Sequence, residues 1–171
     1  MTTQTAFVGL GSNIENPAHQ IKAALLKLRD KLPETTLVSH SSLYTSHAQD
    51  LTNQPDFINA VAKLNTTLPP LTLLSHLQQI ELEQGRMRNI RYGPRTLDLD
   101  LLLYGETHYE SDTLTLPHPR MYTRHFVLLP LMELTGDLLL PNGNNISHHL
   151  NQCDTNDIRR LTEQALSPMI E

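Results

Sequence analysis

The sequence predicts one domain of α/β or α+β sandwich type, and three observations carry that reading. Residues 57–66 and 97–104 alternate their side chains with the period of two expected of half-buried strands. Residues 17–32 and 70–84 instead repeat aliphatic side chains at spacings of three and four, the period of a helix with one buried face. At 171 residues, 39% hydrophobic and 18% charged, the chain can bury one core, and no repeat, low-complexity segment or linker divides it.

The elements follow in order. Residues 5–10 favour a strand that ends in a tight turn at Gly11-Ser12-Asn13. Asn16 suits a helix N-cap and Pro17 the first helical position; Ile21, Leu25, Leu28 and Leu32 form the stripe, and Pro33 ends it. A strand is expected over 37–44, then a long polar loop over 45–56. In the strand 57–66, Ile58, Ala60, Ala62 and Leu64 share one face, and Phe57, Asn59, Val61 and Lys63 the other. Pro69-Pro70 opens a helix with Leu73, Leu74, Leu77 and Ile80 inward and Gly85 as its stop. In the strand 97–104, Leu97, Leu99, Leu101 and Leu103 face the core, while Asp98 and Asp100 point the other way. Beyond it come a short strand over 114–116, a turn at Pro117-His118-Pro119, and a helix over 124–134 made irregular by Pro130. A strand over 138–140 and a helix after Thr155, with Ile158, Leu161 and Ala165 inward, complete the pattern.

Composition excludes several classes. Thirteen Lys and Arg against 18 Asp and Glu leave a net charge of -5, which argues against a nucleic-acid partner held by bulk attraction. The one cysteine, Cys153, rules out an internal disulfide or multi-Cys metal site and fits a reducing compartment. No apolar run approaches the roughly 20 residues of a membrane helix. A cytoplasmic location without membrane attachment is therefore expected.

Chemistry concentrates in residues 81–100, Glu-Leu-Glu-Gln-Gly-Arg-Met-Arg-Asn-Ile-Arg-Tyr-Gly-Pro-Arg-Thr-Leu-Asp-Leu-Asp. Of nine arginines, Arg86, Arg88, Arg91, Arg95, Arg120 and Arg124 fall here or shortly after, and no lysine follows Lys63. Guanidinium forks clasp phosphate oxygens in pairs, so such a cluster suits a polyphosphate; alone it would also read as a solvated charged loop. Asp98 and Asp100, roughly 7 Å apart on one strand face, can converge on hard cations such as Mg²⁺ that keep positions for phosphate oxygens. Gly9-Leu10-Gly11-Ser12-Asn13-Ile14 lacks the last glycine of a dinucleotide fingerprint, and no P-loop motif is present. Phe57 and Asn59, on one strand face, could stack on and read the edge of a planar heterocycle, with Phe126 as a second ring; composition alone also allows both rings to be core. His118, between two prolines, is a phosphate donor or a turn residue.

These residues resemble the 6-hydroxymethyl-7,8-dihydropterin pyrophosphokinase family. The resemblance runs from Phe7-Val-Gly-Leu-Gly-Ser-Asn13 through Gln54-Pro-Asp-Phe-Ile-Asn-Ala60, Ile80-Glu-Leu-Glu-Gln-Gly-Arg86 and Arg91-Tyr-Gly-Pro-Arg-Thr-Leu-Asp-Leu-Asp100 to Leu116-Pro-His118. It implies a ferredoxin-like α+β sandwich, mainly antiparallel, that moves pyrophosphate from ATP to a pterin and releases AMP with two magnesium ions. Asp98 and Asp100 would hold the metal, with Arg86 and Arg95 as catalytic partners. Gln78, Glu81, Arg86, Arg88, Arg95, Leu101, His118 and Arg124 would bind ATP. Ser46, Phe57, Asn59, Tyr92, Asp98 and Phe126 would bind the pterin, and a loop over 85–93 would close on the nucleotide. A monomer is expected. Where the family reads Tyr-x-Thr-x-Pro-x-Gly, this chain has Tyr44-Thr-Ser-His-Ala-Gln-Asp50, without the proline and the glycine. A nucleotide- or RNA-binding module without turnover, a nucleotidyl transferase and a paralogue of altered pterin preference are the alternatives.

Overall fold

Alternating side chains over residues 57–66 become strand β4 (Phe57–Thr66), around which the sheet is organised. The computed structural model describes residues 2–14, 16–47, 55–85 and 97–161. Strand β4 pairs antiparallel with β1 (Gln4–Ser12) on one side and with β2 (Thr35–His40) and β3 (Tyr44–Ser46) on the other. Beyond β1 lies β5 (Asp98–Tyr104), and beyond β3 lies the two-residue β8 (Arg159–Arg160), giving the order β5-β1-β4-β3-β8 with every pairing antiparallel. A separate hairpin joins β6 (Tyr109–Glu110) to β7 (Thr115–Leu116).

Period-two patterning puts apolar side chains on both faces, and each face is covered. Ala6, Val8 and Leu10 of β1, with Ala60, Ala62 and Leu64 of β4, pack against Ile21, Leu25 and Leu28 of α1 (Pro17–Asp30) and Leu73, Leu77 and Ile80 of α2 (Pro70–Glu83). On the opposite face Phe7 and Val61 meet Val127, Leu128 and Leu131 of α3 (His125–Thr135) and Ile146 of α4 (Ile146–Leu150). The helical stripes read from the sequence are therefore the buried ones, and Gly85, at φ +81°, follows α2 as expected of a helix-ending glycine.

Several expectations are corrected. Strand β1 runs on through Ser12, so Gly11 and Ser12 sit in the sheet opposite Asn59 and Ile58 and not in a turn. Asn16 stands at the N-cap but makes no side-chain capping bond; its φ of +60° uses the left-handed conformation that asparagine tolerates. The strand expected over 37–44 is two strands, and β3 takes up the start of the expected loop. Between them the Ser41 hydroxyl stands in for a backbone acceptor, receiving the Val61 N–H at 2.9 Å, and the Ser42 N–H turns to the Glu133 carboxylate at 3.0 Å.

Leu103 does not share a face with Leu97, Leu99 and Leu101. Phe7 pairs with Leu103 but Val8 with Leu101, so Leu102 is an extra residue, and Leu102 and Leu103 both join the second core. Pro130 lies inside α3 without ending it. Residues 138–140 form only one isolated bridge, Leu139 to Asn145. No helix follows Thr155 within the described residues: Arg159 and Arg160 are extended and pair with Thr45 and Tyr44, and Ala165 lies outside the described residues. The unforeseen α4 is capped from a distance, Asp137 accepting the Ser147 N–H at 2.8 Å and its hydroxyl at 2.6 Å. Among the described residues no helix is long and apolar enough to cross a membrane.

Candidate active site

The site is built on the sheet face that carries Phe7 and Val61, at the end α3 leaves open. The register sets Asp98 beside Gly11 and Gly11 beside Asn59, and one step along it sets Asp100 beside Gly9 and Gly9 beside Val61. Two acids on one side and an amide on the other are thus separated by the stretch of β1 where Gly9 and Gly11 present no side chains to this face. A Cβ at Gly11 would come within 3.3 Å of Asn59 Oδ1, so the amide lies over that glycine. The result is a cleft of roughly 480 Å³.

One end of the cleft is charged. Asp98 and Asp100 line it half-buried, and Arg124 Nη1 stands 3.9 Å from Asp100 Oδ2. His118 also lines it, and burial, reinforced by Arg124, lowers its pKa to about 4, so the ring is neutral at neutral pH. Its Nδ1 accepts the Arg120 N–H at 3.2 Å, which puts the ring proton on Nε2 and makes that nitrogen the donor. Glu81, buried, accepts the Leu99 N–H at 2.7 Å and so ties α2 to the start of β5 next to the acids. Gln78 and Leu101 line the same end.

The other end suits a flat polar ring. Phe57 and Phe126 both line the cleft, as Asn59 and Ser46 do. Asn59 Nδ2 donates to Ser46 Oγ at 2.8 Å, and with both residues buried this fixes the amide's orientation before anything binds. Arg124 lies over the Phe126 ring at 5.6 Å, so the start of α3 connects the two ends.

The structure thus brings together Asp98, Asp100, Gln78, Glu81, Leu101, His118 and Arg124 with Ser46, Phe57, Asn59 and Phe126. Arg86, Arg88, Tyr92 and Arg95, and the loop they belong to, lie outside the described residues, as does most of the atypical 45–56 segment. Sequence reasoning missed the glycine floor, although its signal was present: Gly9 and Gly11 repeat at the strand period, opposite two aspartates with the same period. It also missed the hairpin residues 111–115, which line the cleft without any local motif, whereas Arg120, named in the arginine cluster, lines it too.

An end lined by two aspartates, a histidine and an arginine faces an end lined by two phenylalanines and a buried amide, in one cleft of an antiparallel α/β sandwich. Comparison with known proteins names the family. Residues 7–136 match the family model described as 7,8-dihydro-6-hydroxymethylpterin-pyrophosphokinase (HPPK). The 2-amino-4-hydroxy-6-hydroxymethyldihydropteridine pyrophosphokinase of Pseudomonas aeruginosa is 50% identical over 92% of this chain and 97% of its own length. The protein of the same name from Haemophilus influenzae is 49% identical over 86% of this chain and 92% of its own. The crystal structure of wild-type Plasmodium falciparum HPPK-DHPS superimposes with a TM-score of 0.67 at 14% identity, covering 92% of this chain and 47% of that longer one, a likeness of fold. The chain belongs to the 7,8-dihydro-6-hydroxymethylpterin-pyrophosphokinase family.

Proposed function

We propose that this protein moves the terminal pyrophosphate of ATP onto the hydroxymethyl oxygen of 6-hydroxymethyl-7,8-dihydropterin, in folate biosynthesis, and releases AMP. Family membership and relatives named for this pyrophosphokinase activity support the reading. The observation that supports it is the row Asp98, Gly11, Asn59, in which an acid and an amide stand on either side of a glycine. The hydroxymethyl oxygen attacks the β-phosphorus, the bond from that phosphorus to the oxygen bridging to the α-phosphate breaks, and AMP departs as the hydroxyl proton is lost. Such transfers ask the protein chiefly for alignment and charge stabilisation, so no general base is assigned.

Asp98 and Asp100 fit magnesium. Their carboxylates are hard oxygen ligands on one strand face, and a magnesium ion held by two carboxylates keeps positions for phosphate and water. When bound there, two magnesium ions would offset the triphosphate charge. In this reading Arg124 and the Nε2–H of His118 bind nucleotide phosphates, Gln78, Glu81 and Leu101 bound the nucleotide, and Arg86, Arg88 and Arg95 belong to its phosphate cage. Phe57, Phe126 and Tyr92 enclose the pterin, Asn59 reads its edge, and Ser46 holds Asn59. The element order β1-α1-β2-β3-β4-α2-β5, with β2 and β3 both paired to the far side of β4 from β1 and β5, supports a ferredoxin-like fold in which the second strand is split in two. A single-domain, cytoplasmic monomer completes the proposal.

The test is to incubate the protein with ATP, Mg²⁺ and 6-hydroxymethyl-7,8-dihydropterin and to identify the nucleotide product. AMP together with pterin pyrophosphate is the expected outcome. Free pyrophosphate would indicate a nucleotidyl transferase, and binding without turnover would indicate a non-catalytic module.

A further inference from the structure

The ring-binding end of the cleft is assembled from β3, β4 and the first turn of α3, and no strand pairing joins α3 to the others. Glu133, far along α3, takes the Tyr44 hydroxyl of β3 at 2.7 Å, and at the subsite end of the helix a second carboxylate bridges the walls. Asp157 lies in the turn that leads into β8, away from the cleft lining. Its Oδ2 accepts the backbone N–H of His47 at 3.1 Å, and its Oδ1 lies 2.8 Å from His125 Nε2. His47 follows Ser46, the partner of Asn59, and its ring reaches Asp56 Oδ1 at 2.9 Å, next to Phe57. His125 is buried between Arg124 and Phe126 in the chain and meets the Phe126 ring edge-on at 5.7 Å. The two oxygens of one side chain therefore hold opposite walls of the same subsite.

We propose that Asp157 is a positioning residue for the pterin: by bridging His47 and His125 it fixes the distance between the Ser46–Asn59–Phe57 wall and the Phe126 wall before substrate arrives. The chemistry suits the task. A carboxylate can accept from both partners at once, and bonds to an ionised acceptor are stronger than neutral ones. Pairing of β8 with β3, and the Leu161 N–H on the Leu43 carbonyl at 2.8 Å, secure Asp157 in turn. Residues 155–161, remote from the cleft in sequence, thereby become part of the acceptor site, and ordering the two walls in advance reduces the entropy lost on binding.

This inference rests on the reading that Phe57, Asn59 and Phe126 hold the pterin. Steady-state kinetics of the full-length chain tests it with Asp157→Ala, Asp157→Asn, His125→Leu and the double variant. Asp157→Ala should raise the KM for the pterin about tenfold while the KM for ATP and kcat stay within about twofold. Asp157→Asn, whose single oxygen can still serve one partner, should fall between wild type and Ala. His125→Leu, which leaves the His47 bond in place, should raise the pterin KM about threefold, and combining it with Asp157→Ala should add nothing. If Asp157→Ala fails to fold, His125→Leu and Asp157→Asn carry the same test. Equal rises in both KM values, or additive effects in the double variant, would overturn the bridge. If Phe126→Ala left the pterin KM unchanged, the subsite itself would be misread; if Phe126→Ala raised it and the bridge variants did not, only the bridge would fall.

Discussion

The two ends of the cleft are built in different ways. The acidic end takes Asp98 and Asp100 from a single strand, where two side chains two residues apart share a face whatever the rest of the chain does. The ring end collects Ser46 from β3, Phe57 and Asn59 from β4 and Phe126 from α3, and depends on a register, a helix dock and a carboxylate bridge from residue 157. A local device is tolerant of distant change; an assembled one is sensitive to every element that holds it. Damage at the acidic end should therefore abolish chemistry, while damage at the ring end should weaken one substrate selectively.

Asp98→Ala tests the acidic end and should give the largest effect. Loss of one of the two carboxylates should lower magnesium-dependent kcat/KM by at least about a thousandfold with circular dichroism unchanged. Near-normal turnover would remove the acids from the mechanism. Gly11→Val comes next, because it acts on the floor between the two ends. Its first carbon alone would stand 3.3 Å from Asn59 Oδ1, so the amide must shift, and the pterin KM should rise on the order of a hundredfold. Retention of wild-type pterin affinity would show that the amide does not read the ring.

Phe126→Ala is the selective case. Loss of a stacking face should raise the pterin KM about tenfold and leave that for ATP within about twofold. Equal effects on both substrates would make Phe126 a core residue. His118 gives the smallest effect and a different readout. Because burial lowers its pKa from 6.5 to about 4 in the folded state, the unfolded chain binds more protons between those values. Stability associated with this ring is present above pH 6.5 and is lost as the pH falls toward 4, by roughly 3 kcal/mol at most. Urea unfolding of wild type and His118→Gln between pH 4 and 7 should show the extra slope in wild type only. A pH–rate profile should lack a His118 inflection near pH 6.5.

The same contrast governs what was legible beforehand. The faces of β4 and β5, the stripes of α1 and α2, and the acid pair were readable because each depends on side-chain period within one element. Leu103 was misplaced because a bulge at Leu102 arises from pairing with Phe7 and Val8, which no property of residues 97–104 records. Arg159 and Arg160 were expected in a helix because the edge of β3 that recruits them lies more than a hundred residues away in the chain. His47 and His125 drew no assignment because their shared partner, Asp157, is defined only once β8 has joined the sheet.

By itself the sequence determined the periodic elements, the Asp98–Asp100 pair, the Gly9–Gly11 spacing and the family resemblance, since each is a property of consecutive residues and of the geometry of one strand or helix. Only the tertiary structure decided that Gly11 lies between Asp98 and Asn59, that His118 is neutral with its proton on Nε2, and that Asp157 spans two walls of the cleft. Those facts depend on strand register and on burial, and both are set by long-range packing between segments that the chain order keeps apart.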